Sequence, residues 1–135
     1  MAGSLFYTGG SGDDSLTFGH DLAHDGTATF DMSLGGNNTL VAGDDAAYSS
    51  GSIVYTGGSG NDSLTFGADL AYQDGTATFD MSRGGNNTLV AGSTAASSSG
   101  SPAYTGGSGD DSLTFGDDLA EYGGTATFDM SLGGN

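Results

Sequence analysis

The chain repeats itself, and the spacing of the repeat limits its possible folds more than any other property. YTGGSGDDSLTFG, beginning at Tyr7, returns as YTGGSGNDSLTFG at Tyr55 and as YTGGSGDDSLTFG at Tyr104, steps of 48 and 49 residues. GTATFDMSLGGNNTLVAG, beginning at Gly26, returns at Gly75 with Arg83 in place of Leu34, and a third copy runs from Gly124 to Asn135. A half-repeat lies inside. The two blocks share the frame G-x-x-x-L-x-x-G, which strings Leu16, Leu40, Leu64, Leu89 and Leu113 together in steps of 24, 24, 25 and 24. Gly19, Gly43, Gly67, Gly92 and Gly116 keep the same steps, and Tyr7, Phe30, Tyr55, Phe79, Tyr104 and Phe128 form an aromatic series with steps of 23 to 25.

A period of about 24 residues is too short for a globular domain and suits one turn of a solenoid. The fold class expected is all-β: a parallel, β-roll-like solenoid with two short strands per turn, residues 1–135 forming one repeat domain. In SLTF, Leu16 and Phe18 alternate with Ser15 and Thr17; in TATFDM, Ala28, Phe30 and Met32 alternate with Thr27, Thr29 and Asp31. TLVA and SIVYT repeat this in the next turn. Period two puts one set of side chains inside and the other outside. FGADLAYQDG and AGSTAASSSG are expected to be loops at the far edge. DLAHD and DLAYQD are too short to hold a helix alone. Turns stacked about 4.8 Å apart set each Leu on the next, and a buried Leu contributes about 2 kcal/mol.

The composition needs that explanation. There are 27 Gly, 17 acidic residues and one basic residue, Arg83, for a net charge of −16. A scattered chain so charged and so poor in apolar residues would remain disordered; apolar residues held in register would not. Nucleic acid and anionic membrane are excluded as partners because both demand Lys and Arg, and the charge points to cations. No segment has the roughly 18 apolar residues of a membrane span. MAGSLFYTGG lacks the basic start and apolar stretch of a secretory signal, and without Cys there are no disulfides.

GGSGDDSLT, Gly9 to Thr17, fits the nonapeptide G-G-x-G-x-D-x-U-x, as do Gly57 to Thr65 and Gly106 to Thr114. The chain thus resembles the RTX, or hemolysin-type, repeat family. The resemblance implies a secreted bacterial protein, a parallel β-roll and calcium held between turns. The chain departs from that pattern in its longer turns, each with a single glycine-rich edge. At that edge Asp14, Asn38, Asp62, Asn87 and Asp111 occupy one aligned column and Asp13, Asn37, Asn61, Asn86 and Asp110 its neighbour. Two readings stay open. In the first, Asp14, Asp62 and Asp111, with Asp13 and Asp110, supply carboxylates to Ca2+; Asp31, Asp80 and Asp129, just before the intervening turns, contribute, and backbone carbonyls and Asn oxygens complete six to eight ligands. In the second, Asn replaces Asp so that no ion is needed: carboxylates 4.8 Å apart repel by about 1 kcal/mol in water, and Asn side chains bond up the stack.

Other signals are weaker. Thr27-Ala28-Thr29, Thr76-Ala77-Thr78 and Thr125-Ala126-Thr127 resemble the flat faces of ice-binding solenoids, but Ser52-Ile53-Val54 and Ser101-Pro102-Ala103 interrupt the array. His20 and His24 have a metal-binding spacing that no other copy repeats. Carboxylates that sit only on repeats leave no unique acid–base pair, so an enzyme is not expected. Asn37-Asn38-Thr39, Asn61-Asp62-Ser63 and Asn86-Asn87-Thr88 match the N-glycosylation pattern, and Ser97 to Ser99 offer sites for O-linked sugar. The function expected is a structural module of an extracellular bacterial fibre, adhesin or matrix protein. The alternatives are a calcium-dependent secretion and folding module of an exported toxin or enzyme, and an ice-binding protein. The AGS near the start matches Ala91 to Ser93, which suggests self-association head to tail into a homopolymer.

Overall fold

A computed structural model describes residues 3–133. These form fifteen strands and no helix. The first sheet holds β1 (Ser4–Thr8), β3 (Thr27–Asp31), β6 (Ser52–Thr56), β9 (Thr76–Asp80), β12 (Ser101–Thr105) and β15 (Thr127–Asp129). The second holds β2 (Ser15–Phe18), β4 (Thr39–Ala42), β7 (Ser63–Phe66), β10 (Thr88–Ala91) and β13 (Ser112–Phe115). The third holds β5 (Asp45–Tyr48), β8 (Asp69–Tyr72), β11 (Thr94–Ser97) and β14 (Asp118–Leu119), with a lone bridge from Leu22 to Ala46 extending it into the first turn. All pairings are parallel, and each links a strand to its counterpart one turn away. The fold is a β-solenoid.

The expected columns form. Leu40 pairs with Leu16 and Leu64, and Leu89 with Leu64 and Leu113. Tyr7, Phe30, Tyr55, Phe79, Tyr104 and Phe128 follow one another up the first sheet. Leu40, Leu64, Phe30 and Tyr55 are wholly buried.

The two strands per turn expected from the pattern become three. The stretches read as far-edge loops contain the third sheet, which has no period-two signature. Ala47, Ala71 and Ala96 take left-handed φ values of 54°, 55° and 58°. That twist turns two successive side chains inward, Leu70 with Ala71 and Ala95 with Ala96. Ala suits the position because a β-branched side chain at positive φ is a serious clash.

The interior has a second-order pattern. Phe18, Ala42 and Phe66 share a column, as do Ala28, Ile53 and Ala77, and Ala46, Leu70 and Ala95. Large residues belong to the turns that carry Asp at the glycine-rich edge, small ones to the turns that carry Asn. Each Phe leans over the neighbouring Ala and meets the aromatic ring of the next turn, 5.6 Å for Phe18–Phe30 and 5.3 Å for Phe66–Phe79 between centroids. Interdigitation of large with small fills a narrow core at native density.

The start of the chain takes another register than the AGS match suggested. Ser4 pairs with Thr27, and the Gly3 carbonyl accepts the Thr27 N–H, as Gly51 does for Thr76. Gly3 and Ser4 therefore stand at the head of the first sheet, whereas Ala91 ends a strand of the second.

Candidate functional site

The glycine-rich edge joins the first sheet to the second and carries both candidate columns. Backbone there passes directly over backbone: a methyl group on Gly60 would run into the carbonyl of Gly36, and one on Gly85 into that of Gly60. Only glycine allows turns to stack so closely.

The inner column is a continuous amide ladder. Asp14 N–H donates to Asn38 Oδ1 at 3.1 Å, Asn38 N–H to Asp62 Oδ1 at 2.9 Å, Asp62 N–H to Asn87 Oδ1 at 2.9 Å and Asn87 N–H to Asp111 Oδ1 at 2.9 Å. The outer column runs the other way. Asn37 N–H donates back to Asp13 Oδ1 at 2.7 Å, Asn61 N–H to Asn37 Oδ1 at 2.9 Å, Asn86 N–H to Asn61 Oδ1 at 2.7 Å and Asp110 N–H to Asn86 Oδ1 at 2.8 Å. These eight backbone N–H groups thus each find a side-chain acceptor one turn away.

The conformation of the glycine loop decides which turns carry Asp and which Asn. In the Asn turns Gly35 and Gly36 have φ of 111° and 88°, and Gly84 and Gly85 have 106° and 92°. Their carbonyls face the side chain, so Asn38 Nδ2 reaches the oxygens of Gly35 and Gly36 at 3.4 Å each, and Asn87 Nδ2 those of Gly84 and Gly85 at 3.3 Å each. In the Asp turns the loop offers N–H: Gly10 donates to Asp14 Oδ2 at 3.0 Å and Gly107 to Asp111 Oδ2 at 3.3 Å. A δ2 atom facing carbonyls must be a donor, and one facing N–H must be an acceptor.

A phenol completes each Asp turn. Tyr7 donates its hydroxyl to Asp14 Oδ1 at 3.3 Å. The buried Tyr55 hydroxyl approaches Asp62 without a well-formed hydrogen bond, and Asp62 Oδ2 likewise lacks one. Asn turns have Phe30 and Phe79 in that place. Tyr thus accompanies Asp and Phe accompanies Asn through the chain, a covariation present in the sequence that finds the second half of the site.

Asp62 is 2% exposed. Burial pushes its carboxyl above the ordinary range, against the downward pull of the Asn38 backbone and side-chain N–H groups. Burial, with Asp62 beside it, also pushes the Tyr55 hydroxyl up. Asp31 and Asp129 are held below the usual range by Ser33 and Ser131, whose N–H groups each donate at 3.0 Å. Asp80 accepts from Ser82 N–H in the same way.

This donor set does not fit calcium. The ion wants six to eight oxygens at 2.3–2.6 Å. Asn38 points both its N–H and its Nδ2 at Asp62 Oδ1, each at 2.9 Å, and Asn87 does the same to Asp111 at 2.9 and 3.0 Å. Each of these carboxylate oxygens is thus already engaged by two N–H donors from the next turn. Asp62 Oδ2 is hemmed in by Met81 Sδ, a soft thioether, and by Gly57 so closely that a methyl group on that glycine would clash with both. Asp31, Asp80 and Asp129 spend an oxygen on their own turns, and among the described residues no three of His, Cys, Asp and Glu gather as a metal site.

Elsewhere, His20 and His24 turn to different partners, Asp44 at 2.7 Å and Asp25 at 3.1 Å. Asn37, Asn61 and Asn86, of the glycosylation patterns, are exposed but commit Oδ1 to the outer ladder. The third sheet brings Asp45 and Asp69 into register on adjacent turns, a pair hidden in stretches read as loops; burial, then the neighbouring Asp45, pushes Asp69 up. His24, Tyr48 and Tyr72 stack there with centroids 5.1 Å apart. No family model, no curated protein and no solved structure matches the chain.

Proposed function

We propose that the chain is a structural repeat module, a stiff rod segment of an extracellular bacterial fibre, adhesin or matrix protein. The observation that carries this reading is the pair of opposed amide ladders. With three parallel sheets, they bind every turn to both neighbours through groups already consumed in holding the rod together. Repeat proteins of this kind draw their stability from nearest-neighbour interfaces, and an acidic surface keeps such a rod soluble and apart from its neighbours. An extracellular setting rests on the resemblance to hemolysin-type repeats.

Far-UV circular dichroism and size-exclusion chromatography of the chain, first with a chelator and then with excess calcium, test the proposal. A chain folded and equally compact in both supports the rod. A chain disordered until calcium arrives overturns it in favour of a calcium-dependent secretion and folding module.

A further inference from the structure

The tyrosines of the chain differ sharply in their neighbours. Tyr7, Tyr55 and Tyr104 belong to the interior column of the first sheet, where Phe30 and Phe79 stand between one phenol and the next. Tyr55 and Tyr104 are almost wholly buried there. Tyr48 and Tyr72 end β5 and β8, are half-buried, and stand in register on consecutive turns with no residue between them. Their ring centroids lie 5.1 Å apart and their planes 21° from parallel. The left-handed φ of Ala47 and Ala71, 54° and 55°, turns both tyrosines outward after two buried residues. Backbone bonds hold the pair in place: Gly51 N–H donates to the Tyr48 carbonyl at 3.0 Å, and Ser49 and Gly75 N–H donate to the Tyr72 carbonyl at 3.1 and 3.2 Å.

We propose that Tyr48 and Tyr72 form a modification site, at which a one-electron oxidant of the peroxidase class joins the two rings as dityrosine. The site requires the fold and not the rod reading. Each phenol gives up one electron and its hydroxyl proton, and the phenoxyl radical so formed carries unpaired spin on the ring carbons ortho to oxygen, the Cε atoms. Coupling forms one Cε–Cε bond. The hydrogen left on each bonded Cε then moves to the phenolic oxygen, which restores both aromatic rings. The pair loses two electrons and two protons in all, and one molecule of hydrogen peroxide takes them up as it becomes two molecules of water. Radicals couple only where their atoms meet. In-register strands repeat a side chain by a translation of about 4.8 Å, so with planes this close to parallel the like carbons of the two rings face each other. A geometry already held replaces a bimolecular collision.

The surroundings favour coupling within the chain. His24 covers the other face of Tyr48, at 5.1 Å, and Ser97, which follows Tyr72 in the register, carries no ring. Within this column each tyrosine thus has the other as its one phenol neighbour. A net charge of −16 holds separate molecules apart. Tyr122, 81% exposed, is the phenol most open to coupling between molecules. The chain has no Cys; a bond from Tyr48 to Tyr72 would close a loop as a disulfide does and tie one turn to the next.

Treatment of the full chain, in dilute solution, with a haem peroxidase and hydrogen peroxide tests the site. The monomer is isolated by size exclusion and read by dityrosine fluorescence and by the masses of peptides cut before Asp. Cleavage before Asp62 and Asp69 separates Tyr48 from Tyr72 unless the two are joined. The monomer should fluoresce and should yield the two peptides as one species, lighter by two hydrogens. Tyr48→Phe and Tyr72→Phe keep a stacked ring; each, checked by circular dichroism for fold, should lower the monomer's fluorescence roughly ten-fold or more, the scale of losing a held geometry. Tyr122→Phe should leave it unchanged. A monomer without dityrosine would overturn the proposal. So would monomer fluorescence that survives Tyr48→Phe, or a product confined to dimers and lost in Tyr122→Phe.

Discussion

Asn38 points two donors, its backbone N–H and its Nδ2, at a single oxygen, Asp62 Oδ1, one turn away and 2.9 Å from each. Asn38 and Asp62 are both almost wholly buried. The fork supplies what an ion between turns would otherwise supply, and it works only with the amide on this side and the carboxylate on that.

Exchanging the two side chains should therefore be costly despite their identical shape. Asn38→Asp turns a carboxylate toward the carbonyls of Gly35 and Gly36 and toward Asp62; we expect a loss of about 3 kcal/mol or more at neutral pH, partly recovered in acid. Asp62→Asn keeps Oδ1 for the Asn38 fork but buries an amide donor in place of Oδ2, an atom without a hydrogen-bond partner, and should cost about 1–2 kcal/mol. The double exchange should not restore stability, because the loop carbonyls stay where they are. Urea denaturation of the four proteins measures all three values.

Packing makes a matching prediction. Phe66 is buried against Phe79, so Phe66→Ala should cost about 3–5 kcal/mol. Phe18 is partly exposed, and Phe18→Ala should cost less. Ala42 lies between Phe18 and Phe66, so Ala42→Phe should destabilise by about 1–3 kcal/mol through overpacking. Thermal melts rank the three variants.

Stability should peak in mild acid. Asp62 and Asp69 have carboxyls raised above 3.8. Their folded state binds protons more readily, so their contribution is complete below 3.8 and is lost as pH rises through the raised values. Asp31 and Asp129 are lowered from 3.8, so their contribution is present above it and is lost as pH falls through the lowered values. The two trends meet close to 3.8. A melting temperature higher at pH 7 than near pH 4, in dilute protein, would contradict this assignment; Asp69→Asn should flatten the decline toward neutrality.

Ionic strength should act without ion specificity. A net charge of −16 opposes compaction, and salt screens it. Sodium chloride should raise the melting temperature, and calcium should do no more than magnesium at equal concentration. A rise peculiar to calcium would show a site that the glycine-rich edge does not explain.

The columns of Leu64 and Tyr55 were legible because identity at a fixed spacing survives any uncertainty about local conformation. The third sheet was not. Ala71 at φ 55° puts Leu70 and itself on the same side, and a search for alternation sees a loop. At the candidate site the Asp and Asn columns were legible as a pattern, and both readings of it were available. Choosing between them needed the direction of the peptide planes at Gly35 and Gly36, which positive φ sets and residue identity does not. The pairing of Tyr55 with Asp62 and of Phe79 with Asn87 stood in the sequence as a correlation whose meaning is steric and electrostatic at once.

The alternation of turn types restricts how such a chain can change in length. Removing one turn of about 24 residues would set Asp14 beside Asp62 and Phe18 beside Phe66, carboxylate on carboxylate and ring on ring. Removing two adjacent turns, the 48-residue step from Tyr7 to Tyr55, brings together surfaces that already meet elsewhere in the stack. Duplications and deletions by recombination between its own repeats should therefore preserve the stack only in even numbers of turns, which makes the expected unit of growth twice the geometric one.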